Sequence, residues 1–404
     1  MDGKRIELLS PAGDLERLEM ALHYGADAVY LAGQQYGMRA SAGNFSAEQL
    51  CQAVELAHGL GRRVYVTVNT LPREGELAAL PAFLEQLADA RADGLIIADL
   101  GVLALANRHA PKVRKHVSTQ FGAVNSAACA MLCDLGASRV VLARELSLEE
   151  IAAIRAGAPR TLELEVFVHG AMCVSFSGRC LLSNYLTGRD ANRGACAQPC
   201  RWKYSLQEET RPGEFFEIGE DGGTYILNAR DLCMIEHLPE VIAAGADSLK
   251  IEGRMKSAYY AAAATNAYRR ALDCALAGET LPTVWRREVD KISHRPYSTG
   301  FFFGGQPGQS YSDNMYTSDA EICAVVEGTA ENGLYRLTQR NKFSVGDALE
   351  LLQPAGEPIP FTAGPLYAAD GTALESAPHP MMELRMALPG EPDRLAILRR
   401  IREE

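Results

Sequence analysis

Four cysteines stand close together in the middle of the chain, at positions that could hold a metal centre. They are Cys173, Cys180, Cys196 and Cys200, separated by six, fifteen and three residues. Four converging thiolates repel one another unless a cation holds them, so a bound metal or iron–sulfur cluster explains the group economically. The spacing matches neither paired CxxC zinc knuckles nor the bacterial ferredoxin run, and soft thiolates suit both zinc and iron–sulfur. The spacing alone therefore leaves that choice open.

The other six cysteines lie in different surroundings. A buried free thiol behaves as a small apolar residue, and this state is also the alternative for the four clustered cysteines. Cys233, in LNARDLCMIEHL, fits either a further candidate ligand or a core residue. The apolar helical or strand patterns typical of buried free thiols surround Cys51, Cys129, Cys133, Cys274 and Cys323.

Basic and aromatic side chains alternate with the clustered thiols. Asp190 is the single acid between His169 and Tyr204. Trp202 and Tyr204 lie beside the basic residues, and the combination predicts a surface for phosphates and stacked bases. Attraction of arginine to a negative thiolate cluster is an alternative, and both explanations can hold together. The basic residues are Arg179, Arg189, Arg193, Arg201 and Lys203.

Eight short apolar runs alternate with alanine- and leucine-rich helical segments, which is typical of parallel βα units. Eight such units predict a (β/α)8 TIM-like barrel, allowing for irregularity, in which the chemistry lies at the carboxyl ends of the strands. This position favours a working cluster over a structural zinc. The runs are IELLSPA, DAVYLAG, RVYVTVN, GLIIADL, KHVSTQ, RVVLARE, LELEVFVHG and DSLKIEGR.

Polar side chains stand at the ends of these runs, where the barrel mouth is expected. Any one of them alone could cap a helix or bridge a loop. Because side chains alternate along a strand, LKIEGR places Lys250, Glu252 and Arg254 on the same side. Burying three charged side chains is costly unless they pair with a ligand or with each other. The strand-end residues are Arg39, Asn69, Asp99, Gln120, Arg144, His169, Lys250, Glu252 and Arg254.

The sequence divides into two parts. Residues 1–284 are predicted to form the barrel, with a cysteine-rich insertion near 169–235. Residues 285–404 begin with a stretch rich in Gly, Pro and Tyr. They continue with alternating runs that predict a small antiparallel, β-barrel-like domain. Those runs are EICAVVEG, LYRLTQRNKF, DALELLQP and MMELRMAL.

Composition limits the class of protein. The 404 residues are 47% apolar and 23% charged, which excludes disorder, collagen and coiled coil as the main state. With 51 acidic and 40 basic residues the net charge is -11, so a nucleic-acid site must be a local basic patch. No apolar run is long enough for a membrane span, and MDGKRIELLSPAGD lacks a signal core. We expect a cytoplasmic protein that does not contact a membrane.

Several phrases of the sequence together resemble peptidase family U32, a group once labelled collagenase-like proteases. The resemblance covers nearly the whole chain, and its central segment is highly specific. Two phrases, GQQYGMRASAGNF and GACAQPCRWKY, resemble most the branch that hydroxylates the wobble uridine of tRNA with prephenate. Related branches hydroxylate a ribosomal RNA cytidine or the ubiquinone ring. The other matching phrases are ELLSPAGD, HGAMCVSFSGRCLLSNYLTGRDANRGACAQPCRWKY, YILNARDL and SLKIEGRMKSAYY.

The resemblance implies a [4Fe-4S] cluster on Cys173, Cys180 and Cys196. Cys200 is the preferred fourth ligand because it lies in the same loop, and Cys233 is the alternative. The resemblance also implies an anion-binding role for residues 250–254.

These implications extend to the residues at the predicted mouth. A dicarboxylate such as prephenate requires cationic side chains, namely the two-pronged guanidinium of arginine or the ammonium of lysine. We expect Asn69, Gln120 and His169 to orient the substrate, with Glu252 among the catalytic residues. Arg201 and Trp202 are expected to bind the RNA. The candidates for the anionic co-substrate are Arg39, Arg144, Lys250 and Arg254.

The preferred function is an iron–sulfur-dependent RNA hydroxylase that forms 5-hydroxyuridine at the tRNA wobble position with prephenate. A U32 peptidase is the alternative from another class, although the sequence has no GxSxG elbow or HExxH helix. A Cys–His pair would have to use a thiol of the cluster. A ribosomal RNA hydroxylase and a non-catalytic partner subunit are further alternatives. Expected partners are tRNA, the small anionic co-substrate and a second copy or a related family member.

Overall fold

The computed structural model describes residues 6–38, 44–202, 204, 206–207, 215–216, 228–305, 308, 316–329, 333–354 and 356–402. Parallel strands close into a barrel, because β11 pairs with both β1 and β7. All eight apolar runs form these strands, so the predicted TIM-like barrel is confirmed. The first eleven strands are β1 Glu7–Pro11, β2 Ala28–Ala32, β3 Arg63–Val68, β4 Gly94–Ile97, β5 Arg114–Val117, β6 Arg139–Val141, β7 Glu163–Ala171, β8 Leu206–Gln207, β9 Phe215–Phe216, β10 Asp231–Cys233 and β11 Ser248–Ile251.

Helices pack around the barrel, and several begin at a polar residue whose side chain accepts a backbone N–H. Asp99 caps α5 in this way, accepting from the Val102 amide at 3.0 Å, so this strand-end residue has a structural role. None of the described helices is both long and apolar enough to span a membrane. The helices are α1 Leu15–His23, α2 Ala47–Gly59, α3 Glu74–Leu77, α4 Leu80–Asp89, α5 Leu100–His109, α6 Ser126–Asp134, α7 Leu148–Gly157, α8 Leu182–Thr187, α9 Leu238–Ala243, α10 Ala258–Ala277 and α11 Thr283–Glu288.

The carboxyl-terminal part of the chain forms an antiparallel sheet, as predicted. Before it, β12 pairs with β10 and extends the barrel sheet, and β10 itself lies antiparallel to the end of β7. The main sheet runs in the order β17-β16-β22-β13-β14-β21-β18-β19. The strands are β12 Tyr297–Ser298, β13 Ala320–Thr329, β14 Tyr335–Gln339, β15 Phe343–Ser344, β16 Ala348–Leu352, β17 Ile359–Thr362, β18 Leu366–Ala368, β19 Ala373–Leu374, β20 Ser376–Ala377, β21 Glu383–Met386 and β22 Ile397–Ile401.

A buried ionic contact joins this sheet to the barrel. Arg399 of β22 is fully buried and pairs with Glu288 of α11 at 2.7 Å and with Glu350 of β16 at 2.8 Å. Lys291 contacts the same two carboxylates at 3.0 and 2.9 Å. Apolar packing surrounds the contact, and the Tyr24 hydroxyl donates to the carbonyl of Leu352 at 3.0 Å.

A second buried ionic group fills the barrel interior. Arg139 of β6 contacts carboxylate oxygens of Glu7, Glu163 and Glu165 at 2.6, 2.7 and 2.9 Å. Burial acts to raise the pKa of Glu7, but the Arg139 guanidinium outweighs it, so that pKa lies below its usual value. The Tyr65 hydroxyl also donates to Glu7 at 2.6 Å. Charge inside the barrel is thus compensated by partners on neighbouring strands.

Candidate functional site

A cavity of about 1070 Å³, counting its open mouth, lies at the carboxyl ends of the barrel strands. The barrel supplies its floor, and the loop after β7 supplies its roof. We call residues 172–202 the cysteine loop. Six of the predicted site residues line the floor, namely Asn69, Gln120, Arg144, Lys250, Glu252 and Arg254. The four clustered cysteines line the roof, namely Cys173, Cys180, Cys196 and Cys200.

Hydrogen bonds hold the cysteine loop over the barrel mouth. The Ser177 amide and hydroxyl both donate to the Glu145 carboxylate, at 2.6 and 2.8 Å. The Arg193 guanidinium forms a two-pronged pair with Glu76, with bonds of 2.8 and 2.6 Å. Glu145 follows β6 directly and Glu76 lies in α3. The roof is therefore attached to two separate parts of the barrel rim.

The clustered thiols are unpaired and half-buried, and all four line the same cavity. Burial raises the pKa of the Cys200 thiol; Arg201 opposes this rise, and the other three thiols add to it. Two thiols accept backbone N–H bonds: the Leu182 amide donates to Cys180 Sγ at 3.3 Å and the Gln198 amide to Cys196 Sγ at 3.4 Å. Hydrogen bonds of this kind stabilise thiolate character at an iron–sulfur site.

Cys233 lies apart from this group. It is buried on β10, where its sulfur accepts the Tyr268 hydroxyl at 3.8 Å, and burial raises its pKa to about 11. It does not line the cavity within the described residues. Among the other cysteines, Cys129 and Cys323 are buried as predicted, but Cys51 is exposed. The prediction for Cys51 is wrong because it lies on the solvent face of α2.

The two amide side chains on the floor form a connected pair. Asn69 donates its side-chain N–H to the Gln120 carbonyl oxygen at 3.0 Å and accepts the Met38 amide at 3.1 Å. The side-chain amide nitrogen of Gln120 donates to no group in the described part of the chain. It is thus available to donate to a bound molecule; that it orients the substrate stays a prediction.

Three cations line the floor, and they differ in how far they are already engaged. Lys250 is buried and donates to Glu165 at 2.7 Å, with its ammonium 4.5 Å from the Tyr30 ring centre. Arg254 is buried and donates to the Thr67 hydroxyl at 3.1 Å and to the Met38 carbonyl. These contacts use both groups to hold the floor together.

Arg144 is the cation best placed to accept a ligand. One of its N–H groups donates to the Ala171 carbonyl at 3.0 Å, and its guanidinium lies 5.0 Å from the Phe167 ring centre. The side chain is half-buried, and its other N–H groups have no partner among the described residues. Arg39, the fourth predicted cation, lies outside the described residues, as does Lys203.

Glu252 lines the same cavity and accepts the Tyr30 hydroxyl at 2.9 Å. Lys250, Glu252 and Arg254 thus share one space, as alternation along the strand predicts. Tyr30 itself was not singled out by the sequence, because it reads as an ordinary strand aromatic. The same holds for Ser118 and Thr119, which line the cavity.

His169 does not line the cavity, contrary to its predicted place at the mouth. The pairing of β7 with β11 skips Val168, and this bulge turns His169 away from the cavity, towards α10. Its ring lies 5.1 to 5.9 Å from those of Tyr260, Tyr268 and Tyr297. Burial lowers its pKa to about 3. The structure therefore places His169 in the core.

We expect His169 to make folding depend on pH. Its folded pKa of about 3 lies below the ordinary histidine pKa of about 6.5, so only the unfolded chain binds this proton between those values. The free energy of unfolding therefore falls as pH is lowered, by about 1.4 kcal/mol per pH unit below about pH 6.5. Urea denaturation of the wild type and a His169→Gln variant between pH 7.5 and 5 measures the difference.

The control for this measurement is His379→Gln, since His379 is exposed. The stability gap between wild type and His169→Gln should narrow as pH falls, while the His379→Gln protein follows the wild type. A gap that stays constant over this range would show that His169 is not held neutral by burial.

Arg201 and Trp202 lie outside the cavity, on a groove across the cysteine loop. Arg201 donates to the Tyr316 hydroxyl at 3.2 Å and to the Met172 carbonyl at 3.5 Å. Trp202 is 42% exposed. Sequence patterns place both residues correctly near the thiols but not on the cavity wall.

Comparison with known families matches both parts of the fold. The model for peptidase family U32 matches residues 13–312, and the model for the family's C-terminal domain matches residues 318–399. The chain belongs to peptidase family U32. The family resemblance of the motifs is therefore confirmed over nearly the full length of this U32 protein.

Relatives of this U32 protein carry names from RNA modification. It is 38% identical to tRNA hydroxylation protein P1 of Bacillus subtilis, over 96% of this chain and 94% of that protein. It is 38% identical to tRNA hydroxylation protein P of Escherichia coli, over 92% and 91% of the two chains. It is also 38% identical to the 23S rRNA 5-hydroxycytidine C2501 synthase of Escherichia coli, over 67% of this chain and 39% of that protein.

Proposed function

We propose that this U32 protein is an RNA hydroxylase, and that its substrate is the wobble uridine of tRNA. The observation that carries the proposal is one cavity with four thiols on its roof and an available cation and amide on its floor. The names of the relatives support hydroxylation of RNA, and two of the three name tRNA. Such an activity is consistent with the cytoplasmic location expected from the sequence.

The donor set fits a [4Fe-4S] cluster held by Cys173, Cys180, Cys196 and Cys200. Soft thiolates suit both zinc and an iron–sulfur cluster. The four sulfurs lie on the roof of the cavity, opposite the polar floor residues. This position supports a working cluster over a structural zinc.

A bound cluster would supply one-electron chemistry next to the target base. Hydroxylation replaces a C–H bond of the base by C–OH, which is a two-electron oxidation that takes one oxygen atom from a donor. We propose prephenate as the anionic co-substrate that gives up this oxygen from its ring C–OH group, which becomes C–H, so that prephenate is the oxidant. Arg144 would bind one of its carboxylates, because a guanidinium fork matches a carboxylate in two N–H bonds. The amide of Gln120 would orient the bound molecules, while the roof limits entry of water.

The geometry disfavours the peptidase alternative. A cysteine protease needs a histidine within hydrogen-bond reach of the nucleophilic thiol. No histidine lines the cavity within the described residues, and His169 is turned away into the core. The roof thiols therefore have no general base of the kind that a Cys–His peptidase uses.

Nucleoside analysis of bulk tRNA tests the proposal. Mass spectrometry of tRNA from a strain lacking this gene should show loss of 5-hydroxyuridine and its derivatives, restored by the wild-type gene. An Arg144→Ala gene should restore it poorly, because losing a charge-assisted pair costs about 1.5 to 3 kcal/mol, or roughly 10- to 150-fold in co-substrate use. Thermal melting of the purified variant should match the wild type, since Arg144 is only half-buried.

Two controls sharpen this test. Arg160→Ala, at an exposed arginine just before the amino end of β7 that does not line the cavity, should restore the modification fully. Arg254→Ala should weaken both folding and co-substrate use, because Arg254 also holds Thr67 and Met38. Unchanged tRNA nucleosides in the deletion strain would refute the tRNA assignment. A changed ribosomal RNA nucleoside in that strain would point to the other RNA class.

A further inference from the structure

A groove with aromatic walls crosses the outer surface of the cysteine loop. We call it the aromatic groove; it has an open volume of about 680 Å³. Trp202 and Tyr316 stand in it and are 42% and 44% exposed. Such exposure is unusual for two large aromatic side chains that share one surface depression. The groove is lined by Arg189, Cys196, Ala197, Gln198, Arg201, Trp202 and Tyr316.

Contacts from the barrel fix the position of Tyr316. The Lys256 ammonium lies 3.6 Å from the Tyr316 ring centre, and the Arg295 guanidinium lies 5.2 Å from it. Arg201 of the cysteine loop donates to the Tyr316 hydroxyl at 3.2 Å. The ring is thus held between the cysteine loop and the residues that follow β11. Tyr316, which lies more than 100 positions after Trp202 in the chain, thus completes this surface.

The aromatic groove is positively charged in an acidic protein. Arg189 and Arg201 line it, Lys256 lies against it, and no carboxylate lines it in the described part of the chain. Asp190, the nearest acid in the sequence, instead faces Arg73 on the other side of the loop at 3.8 Å. The net charge of the chain is -11. This local positive charge is complementary to a polyanion.

The aromatic groove and the cavity share a wall. Cys196 lines both, so the segment of the cysteine loop that carries it lies between the two spaces. A chain lying in the groove would pass directly over the roof of the cavity. A base of that chain would then reach the cavity only by rotating out of the strand.

We infer that the aromatic groove binds the single-stranded RNA next to the modified nucleotide. Trp202 and Tyr316 are stacking surfaces for flanking bases, and Arg189 and Arg201 contact the phosphates. The inference rests on the proposed RNA hydroxylation and names the surface that it uses. A loop rather than a duplex fits, because exposed aromatic rings stack on unpaired bases and duplex bases offer no free faces. The target base turns away from the strand into the cavity.

Binding of a fluorescein-labelled ten-residue oligouridine to the full-length protein tests this inference. Stacking on Trp202 should quench the protein's tryptophan fluorescence, since Trp202 is exposed and the other tryptophan, Trp285, is buried. Trp202→Ala should weaken binding roughly tenfold, and Trp202→Phe should keep most of the affinity but lose the quenching. Arg189→Gln should reduce the slope of log affinity against log salt by about 0.7.

Tyr185→Ala is the matched control, because Tyr185 is 81% exposed on the same loop but does not line the groove. It should bind oligouridine as the wild type does. Iron content and thermal melting of each variant show whether the loop is intact. If Trp202→Ala loses iron, the Trp202→Phe variant decides the question, since it keeps an aromatic ring in the loop. Arg189→Gln counts only if its iron content is unchanged, because Arg189 Nε also donates to the Ala195 carbonyl at 3.0 Å.

Three results would overturn the inference. One is a Trp202→Ala protein with intact iron and unchanged affinity. Another is an affinity for duplex RNA of the same length that equals the affinity for oligouridine and that also falls when Trp202 is replaced. The third is a Trp202→Ala protein whose molecular mass by light scattering differs from that of the wild type while its RNA affinity is unchanged. The groove would then be a protein interface. If oligouridine binding does not depend on the aromatic groove but RNA is still hydroxylated in the cell, the proposed function stands. Binding through Trp202 without any RNA hydroxylation in the cell would refute the proposed function instead.

Discussion

Replacing Cys173, Cys180 or Cys196 by serine will remove iron and RNA hydroxylation together. Each thiolate binds a separate corner of the proposed cluster, and a serine hydroxyl is a far weaker ligand for iron at neutral pH. We expect iron per chain to fall from about four to near zero in each variant purified without air. Iron analysis and the visible absorption of the anaerobic protein measure this effect.

The remaining cysteines provide matched controls. Cys51→Ser should keep full iron content, because Cys51 is exposed on α2 and does not line the cavity. Cys200→Ser should lose the cluster and Cys233→Ser should keep it, because Cys200 lines the cavity and Cys233 does not within the described residues. Iron that survives all three substitutions of Cys173, Cys180 and Cys196 would rule out the cluster.

Replacing Arg139 by methionine will destabilise the barrel by about 3 to 5 kcal/mol. The substitution keeps much of the volume but leaves Glu7 and Glu165 buried without their shared counter-charge. Removing one partner from a buried ionic group is costly because the other charges stay desolvated. Urea denaturation followed by circular dichroism measures the change in the free energy of unfolding.

Arg63→Met is the control for this prediction. Arg63 also pairs with Glu7, at 3.1 Å, but its side chain is 48% exposed. An exposed pair contributes about 0 to 1 kcal/mol, so this variant should be nearly as stable as the wild type. Adding Glu7→Gln to Arg139→Met should recover part of the loss, because one unpaired charge is removed. A stability of Arg139→Met within 1 kcal/mol of the wild type would contradict the argument.

The order of the barrel strands was predictable from the sequence because few folds are compatible with a chain in which apolar runs alternate with helical segments. The carboxyl ends of parallel strands converge by geometry, so residues such as Asn69, Gln120 and Arg144 could be placed at one mouth. Four clustered thiols were equally visible, since their spacing is short. These features depend on local pattern and on the topology of the fold.

Features that depend on a single local irregularity were not predictable. The bulge at Val168 reverses the side to which His169 points, and nothing in LELEVFVHG marks it. The partner of Lys250 is Glu165 on β7, whereas the sequence predicted only a ligand or an internal pair with Glu252. Tyr316 joins the aromatic groove from a distant segment, and no pattern links it to Trp202. Such contacts are fixed by packing in three dimensions.

The buried contact of Arg399 with Glu288 has a consequence for exchange of domains between proteins of this kind. A C-terminal sheet transplanted onto this barrel would have to bring an arginine at the position of Arg399, or Glu288 would lose its main counter-charge in a buried place. Truncation before β13 would leave the same carboxylate with only Lys291 beside it. The two parts are therefore not interchangeable modules, and chimeras that ignore this ion pair should fail to accumulate in cells.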